Sequence, residues 1–273
     1  MPESPVITQP LNDLRVTIVQ PDSLWQQPDA NRSLLAQRIR EHQLRQPADL
    51  VVLPEMFTAG FSMNVKEVAE AADGPTLAWM GELAADTGAA ICGSYAVDID
   101  PQGELPPVNR MQWVTPDGGH HCYDKRHLFR MGGEHKRYQA GSDKLLVEWK
   151  GWRICPLVCY DLRFPVWCRN RDDFDLQIFV ANWPAARSYH WRQLLIARAI
   201  ENQACVIGVN RVGVDGNGLA YSGDSLVVDA QGALQIDAGA EEGLFTTLLS
   251  AEALRNYRQR FPAWLDADDF QLL

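Results

Sequence analysis

The stretch that most constrains this chain is Trp152-Arg153-Ile154-Cys155-Pro156-Leu157-Val158-Cys159-Tyr160-Asp161-Leu162-Arg163-Phe164-Pro165. It begins as an apolar run, stops at a cysteine, and turns polar at once with Asp161 and Arg163. The run reads as a buried strand, and Pro165 suits the first turn of a helix. A thiol at such a strand end is fixed by the scaffold and open on one side. Amides at a helix start also favour a thiolate. A free cysteine, however, is usually a small buried apolar group. The pattern alone therefore leaves Cys159 between nucleophile and core.

The same build recurs along the chain. Leu14–Gln20 alternates and is rich in β-branched residues, as a strand does. Pro28–Gln46 has helical spacing. Leu50-Val51-Val52-Leu53 is a short continuous apolar run that fits a buried strand, and it ends in Pro54-Glu55. A helix over Thr76–Thr87 and a strand over Ala89–Val97 follow, then a turn-rich loop over Asp98–Pro107. Val108–Val114 and His120–Tyr123 form a hairpin around Asp117-Gly118-Gly119 and run into Lys125. Met131–Lys136 reads as a polar, flexible loop near a pocket. Leu145–Trp149 pairs with Trp152–Val158. Leu176–Ala181 is a buried strand ending in Asn182-Trp183-Pro184, and Ser188 is a good N-cap for a helix to Asn202. Cys205–Asn210, Ser225–Val228 and Gly243–Leu249 are further strands, and Gly213–Gly218 is a glycine-rich loop. Ala251–Arg260 is the last helix, before an acidic tail.

Strands and helices thus alternate throughout, and strand–helix–strand occurs in both halves. No Gly-, Ser- or Pro-rich linker divides the chain. One α/β domain over residues 1–273 is expected, with a core over about 14–261 and a tail over 262–273. The strand–helix–strand order points to two stacked sheets with helices outside, a layered α/β sandwich.

Composition removes several classes of function. Acidic residues outnumber basic ones by 35 to 25, giving a net charge of −10. This disfavours nucleic acid and anionic membrane as partners. No run approaches the roughly 18–20 apolar residues of a membrane span, and Met1–Asp13 has no apolar h-region of a secretory signal. The six cysteines form no C-x-x-C pair and stand at no zinc spacing to histidine. They read as reduced thiols of a cytoplasmic protein.

Three reactive residues therefore stand at the ends of strand-like runs: Glu55, Lys125 and Cys159. In α/β layers such ends face a common crevice. A thiol attacking an amide or nitrile carbon needs a base, a stabiliser for the developing negative charge, and an acid for the leaving nitrogen. Glutamate supplies the first and third, lysine the second.

Leu53-Pro54-Glu55-Met56-Phe57, Tyr123–Phe129 and Leu157–Pro165 resemble the three signatures of the nitrilase superfamily of carbon–nitrogen hydrolases. The resemblance runs from about Leu14 to Phe261. It implies Glu55 as general base, Lys125 as oxyanion stabiliser and Cys159 as nucleophile. Glu134 matches the family's second glutamate, and the Tyr160 backbone N–H its oxyanion donor. The resemblance further implies an α-β-β-α sandwich of two stacked mixed sheets with helices outside, a thioester intermediate and a homodimer; no cofactor or metal is expected. Met56–Phe61, Arg130-Met131, Glu134-His135, Ala181–Ala185, Arg198–Gln203 and Arg211–Gly218 are most similar to the omega-amidase branch. That branch hydrolyses the terminal amide of 2-oxoglutaramate or 2-oxosuccinamate. Arginine is the natural clamp for the remote carboxylate of such a substrate, and Arg187 is the candidate. Phe61, Tyr160 and Trp183 are candidates to line the aliphatic part. Asp161 and Arg163 are expected to be ion-paired and to fix the cysteine turn. A nitrilase would use the same three residues, and a silent scaffold is the reading from another class. The C-G-S-C-W signature of a papain-like hydrolase is missing from the chain.

Overall fold

The computed structural model describes residues 10–100, 102–268 and 270–271. The lead-in expected over residues 1–13 and the tail over 262–273 fall partly outside them.

Two mixed sheets form the centre. The first runs Gly243–Leu249, Leu14–Gln20, Leu50–Val52, Ala90–Asp98, Val108–Val114, His120–Asp124, with the short Glu70–Ala71 beside Ala90–Asp98. The second runs Leu234–Asp237, Leu226–Val228, Cys205–Val209, Leu176–Val180, Trp152–Val158, Val147–Trp149. Each sheet has three parallel strands at its centre and antiparallel strands on both flanks.

Strand alternation explains the layers. In the first sheet Val16, Ile18, Leu50, Val52, Ala90 and Cys92 point inward and join one apolar cluster with Ile154, Leu157, Ile178 and Val206 of the second sheet. The residues between them, Val19, Val51 and Ile91, point outward. They pack on Leu35 and Ile39 of the helix Pro28–Arg45 and on Met80 and Leu83 of the helix Pro75–Thr87. Trp191, Leu195 and Ala199 of the helix Ser188–Asn202 cover the second sheet, together with Leu254 of the helix Ala251–Arg260. Period 2 on the strands and period 3.6 on the helices thus give four layers. This is the expected α-β-β-α sandwich.

The differences from the sequence reading are local. Ser188 is the first helical residue, not the N-cap. Its hydroxyl donates to Asp224 Oδ2 at 2.7 Å instead of capping a backbone N–H. The loop read over Gly213–Gly218 is the turn of a small hairpin, Val212–Val214 with Ala220–Ser222. Leu234–Asp237 is an additional edge strand whose four residues are mostly exposed, so no apolar alternation marks it.

Candidate active site

The strand Leu50–Val52 ends, and Leu53 donates its N–H to Cys92 O at 2.7 Å before the chain leaves the sheet. Met56 then takes φ 45°, the left-handed region that non-glycine residues seldom occupy. The Met56 N–H is held by Ser94 Oγ at 3.1 Å. This turn drives the Glu55 side chain into the gap between the sheets, where it is 1% exposed.

Lys125 follows His120–Asp124. Its N–H donates to Asn109 O at 3.0 Å, and its carbonyl accepts from Gly141 at 3.0 Å. Gly141 is needed there: a Cβ on it would lie 2.2 Å from Asp124 O. Lys125 is completely buried. Its ammonium lies 2.8 Å from Glu55 Oε1 and 3.0 and 2.9 Å from the two oxygens of Glu134.

Glu134 is also completely buried. The segment read as a flexible polar loop forms two 3-10 turns, Arg130–Gly132 and Glu134–Lys136, joined by Gly133 at φ 77°. The turns point Glu134 inward, where Oε2 also accepts the Phe129 N–H at 2.6 Å. Burying three charged groups is expensive, and mutual pairing offsets it. Burial pushes the Glu134 carboxyl up, as does the charge of Glu55, while Lys125 opposes them. Burial alone would pull the Lys125 ammonium down, but Glu134 and Glu55 hold it above the usual lysine range.

Cys159 ends the strand Trp152–Val158 and opens the 3-10 turn Cys159–Arg163. It too has φ 45°. Strain of this kind persists only where the surroundings impose it. Asp161 supplies the constraint: its carboxylate accepts Val158 N–H, His127 N–H and Tyr123 O–H at 3.0, 3.0 and 2.7 Å. Burial raises the Cys159 thiol well above its ordinary range, the Glu55 charge adds to this, and Lys125 opposes it. Burial thus opposes the thiolate that amides at a helix start were expected to favour.

Above the cysteine lies a cavity of about 420 Å³. Cys159, Tyr160, Phe61, Trp183 and Arg187 all line it, so the expected lining residues come together at one place. Glu55, Lys125 and Glu134 sit behind Cys159. Arg163 also lines the cavity, which corrects its expected pairing with Asp161. Its guanidinium lies over the Trp183 ring at 5.0 Å and against His190 Nδ1 at 2.8 Å. Arg187 lies over the Phe129 ring at 5.4 Å. Burial and the Arg187 charge both lower the Arg163 pKa. Among the described residues neither arginine forms an ion pair, unlike Arg153, Arg192 and Arg258. Two unpaired cations in one cavity suit an anionic group. Across from them Asp215 is already occupied by Asn217 N–H, Leu219 N–H and Tyr221 O–H.

Two residues at the site escaped the sequence reading as polar partners. Asn109 Nδ2 reaches Glu55 Oε1 at 2.8 Å and Glu134 Oε1 at 3.2 Å. Asn182 clasps Glu55 twice: its N–H reaches Oε2 at 2.8 Å, and its Nδ2 reaches the backbone carbonyl at 2.6 Å. The place of Asn182 just past a buried strand was a usable signal. Asn109 offered none, being one polar residue inside a strand. All six cysteines are unpaired thiols. Among the described residues no helix is long and apolar enough to cross a membrane, and no group of three His, Cys, Asp or Glu could hold a metal ion.

A family model described as carbon-nitrogen hydrolase matches residues 15–259. The chain is 50% identical over 260 residues to omega-amidase YafV of Escherichia coli (strain K12), covering 95% of this chain and 98% of that one. It is 32% identical over 225 residues to 2-oxoglutaramate amidase of Bacillus subtilis (strain 168), covering 80% and 85%. The crystal structure of XC1258 from Xanthomonas campestris, a CN-hydrolase superfamily protein with an arsenic adduct in its active site, superposes with a TM-score of 0.92. It is 53% identical and covers 96% of this chain and 100% of that one.

Proposed function

The chain belongs to the carbon–nitrogen hydrolase family, and from that premise we propose that it is an omega-amidase working through a Cys159 thioester. The observation that carries this reading is the fully buried Lys125–Glu55 pair, 2.8 Å apart, behind a cysteine that opens into the cavity. The substrate is a small amide with a carboxylate at its far end, such as 2-oxoglutaramate or 2-oxosuccinamate. The names of the two relatives support that class.

The steps follow from the groups at hand. Glu55 takes the thiol proton as sulfur attacks the amide carbon, so no preformed thiolate is needed. The oxygen becomes an oxyanion. Lys125 has three N–H groups; one serves Glu55, one is shared by the two Glu134 oxygens, and one remains for the oxyanion, together with the Tyr160 backbone N–H. The intermediate collapses, the C–N bond breaks, and the proton on Glu55 leaves with ammonia. Water then attacks the thioester, giving its proton to Glu55. The C–S bond breaks and the thiol is restored. Glu134 keeps the Lys125 ammonium charged and in place. Arg187 and Arg163 hold the remote carboxylate, while Phe61 and Trp183 flank the carbon chain.

The test is ammonia release from 2-oxoglutaramate, 2-oxosuccinamate, glutamine, carbamoyl amino acids and simple nitriles, side by side. The oxo-amides are expected to react fastest, and mass spectrometry of the quenched enzyme is expected to show an acyl group on Cys159. No turnover of either oxo-amide overturns the substrate class; turnover without a Cys159 adduct overturns the thioester route.

A further inference from the structure

Glu55 and Glu134 lean on the same ammonium, yet their four oxygens are not equivalent. A carboxylate oxygen offers two lone-pair sites. Glu55 Oε1 accepts from Lys125 Nζ and from Asn109 Nδ2, both at 2.8 Å. Glu134 Oε1 accepts from the same two donors at 3.0 and 3.2 Å. Glu134 Oε2 accepts from Lys125 Nζ at 2.9 Å and from Phe129 N–H at 2.6 Å. Three of the four oxygens are full. Among the described residues the one N–H donor to Glu55 Oε2 is that of Asn182, at 2.8 Å, which leaves a lone pair.

We propose that Asn109 is a positioning residue that fills Oε1 of both glutamates and so makes Glu55 Oε2 the atom that takes and returns the cysteine proton. This rests on the reading of Glu55 as the base.

The geometry of Asn109 fits that task and little else. It is completely buried in Val108–Val114, and its backbone carbonyl also fixes Lys125 in register. Its NH₂ bridges two carboxylates, while its own Oδ1 is buried without a partner. Rotating the amide would set that oxygen against two anionic oxygens. The buried carbonyl thus forgoes a hydrogen bond so that the NH₂ can serve both acids. The ionisable groups that face the pair are Lys125, Cys159, Tyr138 and Tyr221. Tyr138 gives its proton elsewhere, to Ser62 O at 2.7 Å, and Tyr221 to Asp215. Both hydroxyls are raised, first by burial. Asn109 is therefore the neutral side-chain donor that reaches both acids. Without it Oε1 of Glu55 regains a free lone pair, and a proton placed there is held beside Lys125 instead of at Oε2.

The sign follows from charge. The base works as a carboxylate, and a donor favours the carboxylate over the acid. Removing the donor lets the acid pair hold its proton to higher pH, so the acid limb of kcat moves up. Asn109→Leu keeps the volume and removes the NH₂. Asn109→Thr keeps one donor proton in a β-branched shape suited to a strand. We expect kcat for the oxo-amide to fall about 100-fold in the first and about 10-fold in the second, the range set by losing hydrogen bonds to charged groups. The acid limb should rise by about one pH unit in Asn109→Leu and by less in Asn109→Thr. KM should stay within about threefold in both, because Asn109 does not touch the cavity. Thermal melts establish which variants fold, and Asn109→Thr carries the test should the leucine variant not fold. A folded variant that keeps the parental kcat and acid limb overturns the proposal. So does a kcat loss with an unmoved limb, which is what a merely structural role gives. Glu55→Gln separates the two readings: if it remains active, the base assignment itself falls, whatever Asn109 does.

Discussion

The inner and outer ends of the cavity are built on opposite plans. At the inner end Glu55, Lys125, Glu134 and Asn109 are all buried, come from strand ends, a tight turn and a strand interior, and fill nearly every lone pair. At the outer end Arg163, Arg187 and Met131 come from 3-10 turns, and the two arginines lie against aromatic rings instead of acids. Under the proposed function the inner groups, locked by one another, set the chemistry, and the two arginines, which lack a carboxylate partner among the described residues, choose the substrate. The inner end should be intolerant of any loss and indifferent to which amide is offered; the outer end should show the reverse.

Three substitutions probe that contrast, in falling order of effect. Lys125→Ala should lower kcat/KM by at least about 10²–10³, equally for carboxylate-bearing and neutral amides. It should also destabilise the fold by about 3–5 kcal/mol, because it strands two buried carboxylates. Near-normal activity, read as ammonia release, would erase the distinction at its strongest point. Arg187→Ala should raise KM for 2-oxoglutaramate by about 10–100-fold, the worth of a charged hydrogen bond, and leave a neutral amide of equal length little changed. Equal effects on both remove Arg187 from substrate recognition. Met131→Ala, at a residue 83% exposed, should alter stability by less than about 0.5 kcal/mol and activity by less than about twofold. A larger loss would mean the mouth is as tightly built as the interior.

The same contrast governs what the sequence discloses. The four layers were legible because strand and helix periods differ and both repeat through the chain. Glu55, Lys125 and Cys159 were legible because each directly follows an apolar or alternating run. Glu134 was legible only through resemblance; its neighbours Gly132, Gly133, His135 and Lys136 look like solvent-facing loop, and the inward turn comes from Lys125 and the Phe129 N–H, which are tertiary partners. Asn109 was hidden because strand alternation does not tell a gap between sheets from any other buried face. Arg163 was misassigned because Asp161 stands two residues away in sequence. In space Asp161 points inward to Tyr123 and His127, and Arg163 outward over Trp183. Ser188 looked like a cap, but Asp224 offered its hydroxyl a stronger acceptor.

The resting state of Cys159 also bears on how long the protein lasts. Peroxides and alkylating agents consume the thiolate, and a cysteine kept permanently ionised is exposed to them between turnovers. Here burial, and after it the Glu55 charge, push the sulfur toward its protonated form, and only 8% of the residue is open to solvent. An idle molecule therefore offers an oxidant the less reactive form of its sulfur. Chemical durability and dependence on a proton acceptor are two sides of the same placement.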